Sequence, residues 1–383
     1  MTFRANHGGI LQSYALQHLL EGWGHQVVKA EQRFWPRFHF SWYLVLVFFK
    51  RCVLRYILCQ PIELLPEWNL PRRGNYHRKH ILRFINKYIH TIEVESFSQL
   101  DGSEYDAVIV GSDQVWRREY TWGYLTDQSK ADNVFLAFTR HWRCLRIAYA
   151  ASFGVDYWEY SDPETTVLQQ LIRQFDAISV REDSAIDLIH RYLDASFPVE
   201  HVLDPTMLIP REDYIRLIRK AKTHKSQGNL LLYILDPSDS KSQFIQDFSY
   251  QKGLTPFYVN NPKCEDDSYT PEERIQVPIE QWLRGFMEAD FVLADSFHAC
   301  VFSIIFEKPF LVFINPERGN TRLESLMNMF GISNRIVDSS HPINDIAYLP
   351  EINWQDVNNR KVCLREQSLL FLKNALTLNP NRK

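Results

Sequence analysis

No CxxC pair occurs among the six cysteines (Cys52, Cys59, Cys144, Cys264, Cys300 and Cys363), and no histidine pair stands at metal-ligand spacing. That argues against a structural zinc site and against a disulfide framework. Several of these cysteines sit in apolar runs and read as small buried hydrophobes. A P-loop, HExxH, GxSxG and GxGxxG are all absent, as is any DxD pair for a metal-bound nucleotide sugar. Cationic excess is missing too: a net charge of −3 leaves no general electrostatic footprint for nucleic acid. The most apolar run, WYLVLVFF at 42–49, has eight residues, whereas a spanning helix needs roughly 20. No signal peptide precedes the first segment, so the cytoplasm is the expected compartment.

What is present fits an ordinary globular protein. The chain has 383 residues, 45% hydrophobic and 23% charged, which is long for one core and comfortable for two domains. The small net charge hides an asymmetry. Between Arg33 and Lys87 there are eleven Lys or Arg residues and two acids, Glu63 and Glu67. Such an excess suggests an anionic neighbour, with an anionic membrane surface met by residues 33–90 as the candidate partner. A solvated face or a buried helix accounts for the same letters.

Apolar runs ending in small or polar residues recur along the chain. They are DAVIVGSD (106–113), RIAYAASFG (146–154), FDAISVRED (175–183) and VEHVLDP (199–205). A second set follows residue 206: NLLLYILD (229–236), a strand at 256–260, DFVLAD (290–295) and PFLVFIN (309–315). Helical patterns separate them, which predicts parallel sheets covered on both faces. A helix is also expected from Arg72 to Ile89, and a strand from Gln26 to Ala30. We expect an α/β fold of two halves facing a cleft. One spans 1–205 with a basic aromatic insertion at about 33–90, the other 206–383. Ligands of such sheets bind beyond the C-terminal strand ends. Asp113, Ser152, Arg181, Asp204, Asp295 and Ser296 all stand there.

Three motifs carry chemistry. Gly111-Ser112-Asp113-Gln114-Val115-Trp116 follows a strand. Its glycine allows close approach, and Trp116 offers a sugar-stacking face or a core ring. Arg181 ends another strand before a helix, where its planar guanidinium can hold a carboxylate or phosphate, or else pair with Glu182. Asp295-Ser296-Phe297-His298 opens a helix, placing an imidazole in the cleft as an acid or phosphate partner, unless His298 is merely half-buried. At the start, Asn6-His7-Gly8-Gly9 makes a glycine-rich turn whose N–H groups are free to meet an anion.

In order, NHGGILQSYALQ, YDAVIVGSDQVW, IAYAASFG, ISVRED, VLDPTML, ADFVLADSFHACVFSIIFEKPFLVF and NTRLESLMNMFGISNR resemble the polysaccharide pyruvyl transferase family. The resemblance runs from residue 6 to about 335. It implies two Rossmann-like domains similar to the glycosyltransferase-B arrangement. It also implies phosphoenolpyruvate as co-substrate with no further cofactor and no metal, and a cyclic pyruvate ketal on two hydroxyls of a sugar or lipid-linked oligosaccharide. Arg181, Ser296, His298 and Arg322 are then expected on the donor, with Arg181 and His298 catalytic. Asn6, Gly8, Gly9, Gln12, Gly111, Ser112, Asp113, Trp116, Asp204 and Asp295 are expected to line the acceptor side or cleft. Many relatives carry Arg where Ser296 stands, and some an acid where Gly9 stands, so the general acid is left open. Only Met1 to Ala5 precede Asn6, so the first sheet is expected to lack the family's opening strand. A nucleotide-sugar transferase and a non-catalytic glycan binder remain the alternatives.

Overall fold

A computed structural model of the chain describes residues 6–32, 42–57, 76–121, 133–194, 198–266, 268–314, 320–337 and 350–378. Much of the basic region, 33–41 and 58–75, therefore lies outside the described residues, as do Met1 to Ala5 and Cys59. The described chain begins with helix α1 (His7–Gly22) and strand β1 (Lys29–Gln32). After α2 (Trp42–Cys52) and α3 (Lys79–Tyr88) comes β2 (Thr91–Val94), which pairs in parallel with β1. The sequence predicted β1 roughly in place, three residues early. It did not show β2, whose four residues TIEV carry only two aliphatics and an acid.

The first large sheet holds β3 (Ala107–Val110), β4 (Leu145–Ala151), β5 (Ala177–Val180) and β6 (Val199–His201) in that order, all parallel. Helix α4 (Asp162–Ile172) links β4 to β5, and α5 (Ser184–Leu188) follows β5. Next comes α6 (Arg211–Ala221). The second sheet holds β7 (Leu230–Tyr233), β8 (Pro256–Tyr258), β9 (Phe291–Ala294), β10 (Phe310–Phe313) and β11 (Ile336–Val337). Its helices are α7 (Asp239–Lys252), α8 (Ile279–Glu288), α9 (Phe297–Ile305) and α10 (Thr321–Phe330); α11 (Trp354–Leu376) ends the fold.

Among the described residues every strand pair is parallel, so both faces of each large sheet must be covered, and the side chains show it. Along β4, Ile147 and Tyr149 enter one core while Ala148 and Ala151 enter another. Along β9, Val292 and Ala294 point one way and Leu293 the other; β10 repeats this with Val312 against Leu311 and Phe313. This two-residue alternation, apolar on both sides, is why the strands read as unbroken hydrophobic runs. One core runs from α1 and β4 through β7, β9 and α9 to Phe371 and Leu372 of α11. The last helix thus returns to the first sheet, where the Leu203 N–H donates to Ser368 Oγ.

The second sheet has the order β8-β7-β9-β10-β11, so the chain leaves β7 to one side and then continues on the other. Such a reversal opens a crevice beyond the ends of β7 and β9. Asp295 spans that point. Its carboxylate accepts from the N–H groups of Leu235 (2.7 Å) and Asp236 (3.0 Å), and from Lys241 Nζ (2.8 Å). Asp295 therefore ties the crevice wall together rather than facing its opening. Both charges of the Asp295–Lys241 pair are buried, so removing one strands the other. We predict that Lys241→Met lowers unfolding free energy by about 3 kcal/mol, measured by urea denaturation. A loss below about 1 kcal/mol would show the pair to behave as a solvent-screened one.

Candidate active site

Four parallel strands bring their C-terminal ends to one edge of the first sheet, and from that edge Asp113, Arg181 and Asp204 converge. Arg181 Nη2 donates to Asp113 Oδ1 at 3.1 Å, and Nη1 to Asp204 Oδ2 at 3.3 Å; all three side chains are buried. The guanidinium also stands over the Phe297 ring, with Cζ 4.4 Å from the centroid, which links the first sheet to the start of α9. The sequence alternative of an Arg181–Glu182 surface pair is overturned. Glu182 instead accepts from the N–H groups of Phe153 (2.8 Å) and Gly154 (3.0 Å) and is itself buried.

Asp204 is the most connected group. It accepts from Thr206 N–H (3.0 Å) and Thr206 Oγ1 (2.7 Å), from Arg181 and from the Gln12 amide. The same amide donates to Ser112 Oγ at 3.0 Å, so α1 is stitched to the ends of β3 and β6. Asp113 sits at φ 72°, a left-handed conformation that costs free energy for a residue with a Cβ. Burial would raise its pKa, but the charge and hydrogen bond of Arg181, with the charge of Arg322, hold it down at about 2. Asp204, for which burial also opposes ionisation, is held low by the charge of Arg181 and by the hydrogen bonds from Thr206. Both are ionised carboxylates at neutral pH.

His298 stands in the first turn of α9, buried, with Nε2 3.8 Å from Asp204 Oδ2 and no hydrogen bond to that nitrogen among the described residues. Burial lowers its pKa, and the attraction of Asp204 and Asp113 does not overcome this, which favours the neutral imidazole. Arg322, on α10, reaches within 3.8 Å of Asp113, and burial followed by Arg181 repulsion pulls its pKa to about 10. Arg181 Nε, Ser152 Oγ and Glu182 Oε2 are likewise buried without hydrogen-bond partners among the described residues. Buried polar atoms are seldom left unpaired in folded proteins. Arg181 and His298 belong to the same ion cluster, which makes it the candidate site for a polar ligand.

Several expectations change. The glycine-rich turn does not precede the helix: His7, Gly8 and Gly9 are its first turn, capped by Asn6, whose side chain accepts from Gly8 N–H at 3.0 Å. That N–H is engaged, so it is not waiting for an anion. Gly8 serves another purpose, because a Cβ there would stand 2.2 Å from His298 Cγ. Gly9 is buried in the same turn, and its carbonyl accepts from Ser13. Gly111 (φ 120°) abuts the Tyr149 carbonyl, 2.1 Å from a notional Cβ. Trp116 is corrected: it is 0% exposed, stacked on Phe135 and packed on Phe153 and Phe175, so no face remains for a sugar. Ser296 is half-buried and makes no capping hydrogen bond.

Sequence reading missed the groups that orient the named ones. His201 Nε2 lies 3.0 Å from the Arg181 carbonyl and 3.3 Å from Ser325 Oγ, and Ser325 accepts from Asp183 N–H at 3.2 Å. Ser325 follows Arg322 by one helical turn, so this junction fixes α10 against the end of β5. A serine three residues past an arginine gives no signal without the fold. Among the described residues, no group of three or more His, Cys, Asp or Glu side chains could hold a metal ion.

The fold and this constellation define an α/β protein with a buried, ion-paired cluster at its strand ends. The family model of polysaccharide pyruvyl transferase matches residues 6–317, and the chain belongs to that family. It is accordingly a transferase of polysaccharide biosynthesis. No curated protein matches the chain.

Two outcomes follow from this geometry. Gly8→Ala should displace His298 and lose ligand binding, while circular dichroism and melting change little. Retention of wild-type binding would show that the ring is not held by this contact. His7 is buried on Trp282 with Nε2 3.0 Å from the Val277 carbonyl, and burial lowers its pKa to about 4. A histidine depressed on folding stabilises fully above its unfolded pKa of about 6.5 and loses that contribution as pH falls towards the folded value. Stability should drop by about 3 kcal/mol between pH 6.5 and 4 from this group, and His7→Gln should flatten that part of the urea-unfolding profile.

Proposed function

We propose that the site transfers pyruvate from phosphoenolpyruvate to two hydroxyls of a sugar in a surface-polysaccharide precursor, forming a cyclic ketal and releasing phosphate. The observation that carries this reading is His298, a buried neutral imidazole with an open nitrogen beside Arg181 and Arg322. An arriving dianion would raise the imidazole's proton affinity, so binding itself would load the acid. Arg322 and His298 then hold the phosphate and carboxylate. Arg181 serves chiefly to fix Asp113 and Asp204, since two carboxylates already offset its charge.

The chemistry balances without a redox step. A proton added to the methylene carbon makes C2 electrophilic. One sugar hydroxyl adds there and gives up its proton, for which the ionised Asp113 is the acceptor at hand. The second hydroxyl displaces phosphate, which leaves with that hydroxyl's proton. Ser296 and the open Ser152 Oγ lie at the strand ends where the donor would sit. We place the reaction in the cytoplasm.

Phosphate release from phosphoenolpyruvate, with a panel of galactosides, tests the reading. Acceptor-dependent release should fall roughly 100-fold or more in His298→Asn and comparably in Arg322→Gln, with unchanged melting. Arg181→Ala is a poorer test, because it leaves Asp113 and Asp204 buried without their counter-charge. Thermal stabilisation by a nucleoside diphosphate, with none by phosphoenolpyruvate, would move the assignment to a nucleotide-sugar donor.

A further inference from the structure

Helix α2 and the single wider turn that continues it (Val53–Ile57) leave a row of apolar side chains uncovered. Phe49 is 62% exposed, Val53 45%, Tyr56 69% and Ile57 71%. Phe49, Val53 and Ile57 are spaced four apart and fall on one stripe, with Tyr56 beside it. None of the residues from Val53 to Ile57 is buried. Scattered exposed apolar side chains need no explanation, but a continuous stripe of four marks a surface meant to be covered.

We propose that residues 49–57 dock this protein on an anionic lipid bilayer, lying in the plane of the interface. Lys50, Arg51 and Arg55 alternate with the stripe, and from residue 33 to 62 the sequence holds five Lys or Arg and no acid. Apolar side chains that enter the acyl boundary, beside long basic ones whose stems follow and whose charges stay among headgroups, are the composition of an interfacial helix. Residues 42–57 span about 24 Å as helix, and no helix among the described residues is long and apolar enough to cross a membrane. A second copy of the chain is a worse occupant. It would bring the same basic segment to the same face, so that like charges meet.

The test uses neither donor nor acceptor, so it succeeds or fails independently of the transfer reading. The measurement is flotation of the full chain with phosphatidylcholine vesicles, alone or doped with phosphatidylglycerol. The wild type should float with the doped vesicles and not with the neutral ones. Lys50→Gln/Arg51→Gln/Arg55→Gln should weaken binding about fivefold per charge, on the order of 100-fold in all. Phe49→Ser/Ile57→Ser should weaken it roughly tenfold or more. Exposed positions leave the melting curve unchanged, so loss of binding is not loss of fold. Equal flotation with both vesicles, or none with either, overturns the proposal. So does a fall from dimer to monomer in light scattering of the serine variant, which would assign the stripe to a second copy.

Discussion

Arg181 carries its charge into a place that water does not reach, and Asp113 and Asp204 keep it there. The cost of burying three charges is offset only because each has partners: the guanidinium has both carboxylates and the face of Phe297, and Asp204 has Gln12 and Thr206 besides. The partners come from β3, β5, β6, α1 and α9, so the ion cluster is also the knot that joins the two sheets. Move Arg181 and the ends of three strands lose their common reference.

That arrangement changes what the site offers a ligand. Counting Glu182, three carboxylates surround two arginines, so the cleft is no simple cation pocket. In the reading proposed above, anion capacity rests instead with His298 and Arg322, whose pKa values burial pulls down. Both groups are held in place by neighbours outside the cleft. Gly8 presses on the imidazole, and the His201–Ser325–Asp183 junction anchors the helix of Arg322. Preorganised donors of this kind require little rearrangement when charge arrives.

Much of this was legible in the letters. Alternating apolar runs with polar ends gave both parallel sheets within a few residues, because strands buried on two faces leave a dense hydrophobic signature. Strand-end position alone picked out Asp113, Arg181, Asp204 and the start of α9. Partnerships were not legible. Nothing in DAVIVGSD announces that Asp113 meets Arg181, 68 residues away, or that the Gln12 amide reaches Asp204 across 192. Trp116 was misassigned to the sugar side because an aromatic after a turn looks the same in a core as in a cleft. Asp295 looked like a cleft residue, whereas Lys241 and two N–H groups draw it inward. The Asn6 turn was misplaced by one helical turn, since glycine suggests a loop and here permits contact between α1 and His298.

The central claim is that His298 is neutral in the free protein and gains a proton when the anionic donor binds. Nitrogen-15 chemical shifts of the His298 imidazole, recorded at pH 7 with and without phosphoenolpyruvate and assigned by comparison with His298→Asn, test it directly. A neutral ring alone, turning to imidazolium on addition of phosphoenolpyruvate, is the expected result. An imidazolium already present in the free protein, or a ring that stays neutral with the donor demonstrably bound, would contradict it.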